Sequence, residues 1–130
     1  MNIISGILRS FGAGAIGGAA NVLLLLYFWH LQIIPGPELT PDFIKAFLYK
    51  QMVWGGIWGF AFLIPIMTRH WILRGLVWGV AATAVALYVF KVAPVSVLSI
   101  VIGLAVNSGA WGLVASGLYY KSSPAKQATP

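Results

Sequence analysis

Residues 11–26 read FGAGAIGGAANVLLLL, a run in which small side chains give way to four consecutive leucines. No Asp, Glu, Lys or Arg occurs between Arg9 and Glu38, and the run is closed by Pro35-Gly36-Pro37, where a helix cannot continue. About 20 apolar residues are enough for a helix to cross the hydrocarbon core of a bilayer. The sequence therefore predicts a first membrane span at about residues 11–34.

The composition of the whole chain agrees with a membrane environment. Of its 130 residues, 60% are hydrophobic and 8% are charged, whereas roughly a quarter of the residues of a soluble domain are charged. The net charge of +6 does not indicate nucleic-acid binding, because the basic residues flank apolar segments and form no patch. The absence of cysteine excludes disulfides, a thiol nucleophile and a thiolate metal site.

Three further apolar segments follow the first, at about residues 45–67, 72–92 and 95–120. Thr40-Pro41-Asp42 is typical of a helix start, since threonine caps, proline suits the first helical position and aspartate favours the positive end of the helix dipole. Residues 2–10 have the spacing of a short amphipathic lead-in at the membrane interface, and residues 121–130 have the composition of a disordered polar tail. The predicted fold is an all-α, integral membrane four-helix bundle built from two αα hairpins.

The charged residues fall on the two sides of the predicted membrane in unequal numbers. One side carries most of the basic residues: Arg9, Arg69, Arg74, Lys121 and Lys126. The other side carries both acidic residues and fewer basic ones: Glu38, Asp42, Lys45, Lys50 and Lys91. Because short loops rich in lysine and arginine stay in the cytoplasm, both termini are predicted to be cytoplasmic, with the bacterial inner membrane as the expected location.

Each predicted span carries small residues one helical turn apart, a pattern that lets helix backbones approach closely in lipid. The set comprises Gly14, Gly17, Gly18 and Asn21 in the first span, Gly55 and Gly59 in the second, Gly75 and Gly79 in the third, and Gly103, Asn107, Ser108 and Gly112 in the fourth. Packing within this one chain explains such stripes. Residues 12–20, however, are all glycine or alanine except Ile16, and the fourth span has two stripes, which favours a membrane partner as well.

Asn21 and Asn107 fall near the middle of the first and fourth spans, each on a small-residue stripe. Two interpretations are open. The asparagines either hydrogen-bond to each other across the bundle, or line a polar path together with Gln51, Thr83, Ser99 and Ser116. No Asp, Glu, Lys or Arg lies in the middle of a predicted span, and such residues are the usual mark of proton relays and coupled transport.

His30 and His70 are the only candidate ligands for a metal ion or a haem. They flank opposite ends of the predicted spans and are therefore too far apart to bind one ion together. No metal site, cofactor or catalytic residue is predicted, and the chain is expected not to be an enzyme. A pigment bound axially by His30 alone is the remaining cofactor hypothesis.

This pattern predicts a non-enzymatic accessory or scaffold subunit, packed through the small faces of its first and fourth spans against a larger membrane complex. Respiratory and photosynthetic complexes are the candidates considered. The alternative is a homo-oligomeric channel or transporter for an uncharged solute, with Asn21 and Asn107 lining the path. In both cases the expected partners are lipid and protein, not nucleic acid.

Overall fold

The computed structural model describes residues 3–33, 36, 38–91 and 94–122. Throughout this part of the chain the regular structure is helical, and no strand occurs. Helix α1 spans Ile3–His30, and α2 spans Pro41–Gly59 and is followed by a 3₁₀ turn at Phe60–Leu63. Helix α3 spans Trp71–Val89 and α4 spans Val97–Lys121. The prediction of an all-α chain with four helices is confirmed.

Three of the helices are long and apolar enough to cross a membrane. These are α1, α3 and α4, with 28, 19 and 25 residues and mean hydropathies of 1.7, 1.8 and 1.9 in their most apolar stretches. Helix α2 has 19 residues, but its first half carries Asp42, Lys45 and Lys50. The structure is therefore consistent with an integral membrane protein of three candidate spans. A fourth span through α2 stays a prediction.

The limits of α2 follow from local chemistry. The Thr40 hydroxyl accepts a hydrogen bond from the Phe43 N–H at 3.1 Å, and Pro41 is the first residue of the helix, as the sequence predicts. The far end lies before Pro65, because proline disfavours helical backbone in the preceding residue. Accordingly Ile64 is extended, with φ −74° and ψ 123°. The regular helix thus stops before the predicted limit at residue 67.

The ends of α1 and α4 also depend on single residues. Residues 3–10, the described part of the predicted lead-in, are continuous with the rest of α1. The helix ends at His30 rather than at residue 34, since Gln32 has a left-handed backbone with φ 57°. Helix α4 begins with a capping box, in which the side chains of Ser96 and Ser99 each accept a hydrogen bond from the other's backbone N–H.

The helices pack in the spatial order α2, α1, α4, α3. The closest packing joins α1 to α2 and α3 to α4, and α1 also packs against α4. Among the described residues, α2 and α3 do not form a closely packed pair. A cleft therefore lies between α2 and α3, and its floor is made by α1 and α4.

Glycines hold α1 and α2 together at short range. A Cβ atom added at Gly14 or Gly18 would lie less than 3.0 Å from the backbone of α2, and one added at Gly55 or Gly59 would meet the backbone of α1 as closely. Real Cβ atoms essentially never come so near to another heavy atom. Substitution at any of these positions would force the two helices apart.

Close backbone contact over glycines also joins α3 to α4. Added Cβ atoms at Gly75 and Gly79 would meet the backbone of α4, and one at Gly112 would meet the backbone of α3. The Ser108 hydroxyl on this face donates to the Leu76 carbonyl at 3.1 Å. Two further glycines lie against side chains: Gly17 contacts Trp111 and Ala115, and Gly103 contacts Thr83. The predicted small-residue set is therefore used for contacts inside the chain.

Candidate functional site

A cavity of about 350 Å³ lies in the cleft between α2 and α3. Its polar wall is made by Asn21 of α1, Lys50 and Gln51 of α2, and Asn107 of α4. Its apolar wall is largely aromatic, with Trp54, Trp58, Phe90 and Trp111. The two asparagines singled out from the sequence thus reach the same cavity.

The asparagines form part of a chain of hydrogen bonds. The Asn21 Nδ2 donates to Asn107 Oδ1 at 3.2 Å, and the Asn107 Nδ2 donates to Thr83 Oγ1 at 3.1 Å. The single hydroxyl proton of Thr83 has two carbonyl oxygens within reach, those of Gly79 at 2.9 Å and Gly103 at 3.0 Å. The predicted hydrogen bond across the bundle is therefore confirmed, and it extends through Thr83 into the backbone of α3 and α4.

In this series of hydrogen bonds, the Asn21 Oδ1 is left without a partner among the described residues. Asn21 is only 5% exposed, and its Oδ1 forms no hydrogen bond to any described residue. Leaving a buried acceptor unpaired costs roughly 1–3 kcal/mol, so such atoms call for an explanation. Asn21 also lines the cavity, so a molecule bound there would lie beside this amide.

Two stretches of π-helix contribute to the wall. Val85–Val89 ends α3, with a hydrogen bond from the Phe90 N–H to the Val85 carbonyl at 3.0 Å, and Ala105–Gly112 forms the middle of α4. The second stretch contains both Asn107 and Trp111. π-Helical turns are rare and are frequent at functional sites, because they displace side chains from the regular α-helical positions. No feature of the sequence indicated them.

Aromatic contacts close the cleft on either side of the cavity. Trp54 of α2 and Phe90 of α3 meet across the cleft with ring centroids 5.7 Å apart. Toward the start of α3, the cleft is filled by a buried cluster of Phe62, Trp111 and Ala115. The Trp111 Nε1 donates to the Gly14 carbonyl at 3.1 Å, which ties this cluster to α1. The cavity is therefore closed at that end.

The Arg74 side chain is buried, which the sequence does not indicate. It was expected to be one of the charges that flank the spans, but it is only 5% exposed. Its Nη2 donates to the carbonyls of Phe62 and of Ile64, the latter at 2.7 Å, and its guanidinium lies 5.6 Å from the ring centroid of Tyr119. A cation at this position hydrogen-bonds to the backbone beyond the end of α2, where the negative end of the helix dipole stabilises it.

The other polar residues proposed for a path have separate roles. Gln51 lines the cavity, whereas Ser99 caps α4 and Ser116 donates to the Trp71 carbonyl at 2.7 Å. His30 is the exposed last residue of α1, and His70 directly precedes α3, so the two lie at opposite ends of the bundle. Within the described ranges, no three His, Asp or Glu side chains form a group that could hold a metal ion. The predicted tail, apart from its first two residues, lies outside the described residues.

Comparisons of the chain with models of protein families, with curated proteins and with solved structures find no match. Its function is therefore argued from the cavity and from the surfaces of the helices.

Proposed function

We propose that the chain is a small, non-enzymatic membrane protein that binds an uncharged solute in the cavity between α2 and α3, as the binding step of a channel or transporter. The observation that carries the proposal is the buried Asn21 amide, which lines a cavity of about 350 Å³ and has an unpaired oxygen. A polar solute inside the membrane needs hydrogen-bonding groups from the protein, because the hydrocarbon core offers none. A homo-oligomer is the assembly proposed, in the bacterial inner membrane and with both termini in the cytoplasm.

The composition of the wall favours an uncharged ligand. Among the residues that the structure describes, no carboxylate lines the cavity, and the one charged wall residue, Lys50, would repel a cation. A cation that entered would lose its hydration shell and find only amides and aromatic rings in exchange, which is costly in a low-dielectric site. An anion would gain the single Lys50 ammonium in addition. A neutral molecule with a hydrogen-bond donor gains a partner in Asn21 and packs its apolar part against Trp54, Trp58 and Trp111. Hydrogen bonding and size, rather than charge, would then decide selectivity.

Replacing both asparagines by leucine is expected to weaken solute binding without unfolding the protein. The double variant Asn21→Leu/Asn107→Leu removes both members of the pair together with the unpaired oxygen, so its stability should stay within about 1 kcal/mol of the parent. Each single variant strands one amide and should be less stable than the double variant. In proteoliposomes, urea or glycerol permeability should fall by about tenfold in the double variant, the equivalent of about 1.4 kcal/mol.

The matched control is Tyr27→Phe, which removes a polar group from the exposed side of the same helix. It should keep the permeability of the parent. The proposal is wrong if the parent passes no uncharged solute faster than empty liposomes do, or if the double variant passes it as fast as the parent.

A second candidate function is the accessory or scaffold subunit of a larger membrane complex, with respiratory and photosynthetic complexes as candidates. The specific observation in its favour concerns Gly12 of α1 and Gly109 of α4. A Cβ atom added at either position would meet no heavy atom within 4 Å, so these two glycines are not used for packing within the chain. Close approach of another helix would give them a role.

A partner helix that packs against Gly12 or Gly109 is expected to be lost when these glycines are replaced by larger residues. Gly12→Leu and Gly109→Leu should leave the bundle folded, because an added Cβ atom at either position meets no heavy atom within 4 Å. After purification in mild detergent, the parent should carry other membrane chains at a fixed ratio, and the variants should not. Recovery of the parent without any companion chain would contradict the subunit proposal, and a single discrete oligomer would favour the channel.

A further inference from the structure

The acidic residues of the chain lie at one end of the bundle, whereas basic residues occur at both ends. We use the term basic end for the end at which α1 and α3 begin and α2 and α4 finish. The basic end carries Arg9, Arg69, His70, Arg74 and Lys121. The whole chain has two acidic residues, Glu38 and Asp42, and both precede or begin α2 at the opposite end. The basic end therefore has no acidic side chain of its own.

Two of the basic side chains are already engaged within the protein. Arg9 donates to the Tyr119 carbonyl at 2.9 Å and to the Ser122 hydroxyl at 3.1 Å, which ties the start of α1 to the end of α4. Arg74 is buried against the end of α2. Both therefore serve the fold rather than an external anion.

Arg69 and His70 are different, because they are exposed and line a surface groove of about 460 Å³ at the start of α3. Among the described residues, neither side chain has a hydrogen-bond or ion-pair partner. Trp71 forms another part of the groove, and its indole ring packs against Gly117 of α4. A guanidinium with all its donors free is well suited to a phosphate, which it can bind through two parallel hydrogen bonds.

The groove continues into an apolar surface on α3. Ile72, Leu73 and Leu76 line it, and Val80 follows one turn further along the helix. All four are exposed, with 52%, 50%, 37% and 51% of their surface accessible. The eight steps along the helix from Ile72 to Val80 correspond to about 12 Å, which is close to the half-thickness of a hydrocarbon core of about 30 Å. An acyl chain whose headgroup lies at the groove could therefore run along this surface toward the middle of the membrane.

We infer that this groove is a binding site for an anionic phospholipid, with the phosphate on Arg69 and His70 and an acyl chain along Ile72, Leu76 and Val80. Charge complementarity selects an anion, and the apolar surface selects a lipid over a free phosphate ion. Tryptophan beside the basic residues is the side chain typical of the headgroup level. The inference is independent of the solute-binding cavity, since no residue lines both sites.

Lipid selectivity tests the inference directly. The full chain in neutral detergent is mixed with equal amounts of phosphatidylglycerol and phosphatidylcholine of identical acyl chains, and the bound lipid is counted by native mass spectrometry. The parent should prefer phosphatidylglycerol, and Arg69→Gln should reduce that preference by about fivefold, the effect of one basic residue near an anionic headgroup. The matched control Lys121→Gln, at the same end but outside the groove, should keep the preference.

Three results would overturn the inference. The first is equal binding of the two lipids by the parent. The second is an equal loss of selectivity in Arg69→Gln and Lys121→Gln, which would indicate diffuse charge instead of a site. Displacement of phosphatidylglycerol by an equal concentration of inorganic phosphate would indicate a site for a soluble anion. Because Arg69 and Lys121 are both exposed, neither variant should alter the melting temperature.

Discussion

Gly79→Ala is expected to separate α3 from α4 and to lower the stability of the bundle by about 1–3 kcal/mol. The added Cβ would lie 2.6 Å from the Asn107 carbonyl oxygen and closer still to the Ser108 Cα. Both are backbone atoms, so relief requires movement of a whole helix rather than rotation of a side chain. The hydrogen bond from Asn107 to Thr83 crosses the same interface and should be lost as well.

The matched control for this change is Gly12→Ala. The chemical change is the same, but nothing lies within 4 Å of the new methyl group. Since alanine is a better helix former than glycine, this variant should be as stable as the parent or more stable, by up to about 1 kcal/mol. Thermal unfolding in neutral detergent, followed by far-UV circular dichroism, measures both. Equal melting temperatures for the two variants would show that close contact between α3 and α4 does not stabilise the protein.

Arg74→Met is expected to be strongly destabilising, by about 2–4 kcal/mol. It removes a donor to the buried Phe62 carbonyl, and a buried acceptor left unpaired costs roughly 1–3 kcal/mol. The Ile64 carbonyl loses the same donor but keeps its hydrogen bond from the Ile66 N–H at 2.9 Å. The loss of the guanidinium contact with the rings of Phe62 and Tyr119 adds to this. Arg74→Lys should restore part of the stability, because an ammonium group keeps the charge but lacks the planar pair of donors.

Thermal unfolding tests this prediction, with hydrogen exchange of residues 60–64 as a local readout. Amide exchange there should accelerate in Arg74→Met, since the end of α2 loses the group that holds it to α3. The control is Arg69→Met, five positions earlier in the chain and exposed, which should change stability by less than about 0.5 kcal/mol. A similar loss in both variants would mean that charge at the basic end, rather than the buried hydrogen bonds, determines the effect.

Local sequence chemistry determined the helices. Hydropathy predicted the apolar segments, and the caps and prolines placed several of their limits, as at Thr40. Where a limit differed, a single backbone conformation was responsible, such as the left-handed Gln32 at the end of α1. The asparagine pair was also predictable, because two amides on small faces of neighbouring helices have few other partners in lipid.

The role of the small residues was only half determined by the sequence. Glycines one turn apart indicate close approach of helices, but the pattern is the same for an internal and an external neighbour. The structure assigns Gly14, Gly55 and Gly79 to contacts inside the chain and leaves Gly12 and Gly109 without a neighbour. That distinction requires the spatial order of the four helices, which no single helix encodes.

The cavity, the π-helical stretches and the burial of Arg74 were decided by tertiary structure alone. Arg74 and Phe62 are 12 positions apart and belong to different helices, and Asn21 and Asn107 are 86 positions apart. The contacts and the cavity formed by such residues depend on the distance between α2 and α3 once α1 and α4 have packed. Hydropathy and periodicity describe which face of a helix avoids water, whereas a cavity exists only where two such faces fail to meet.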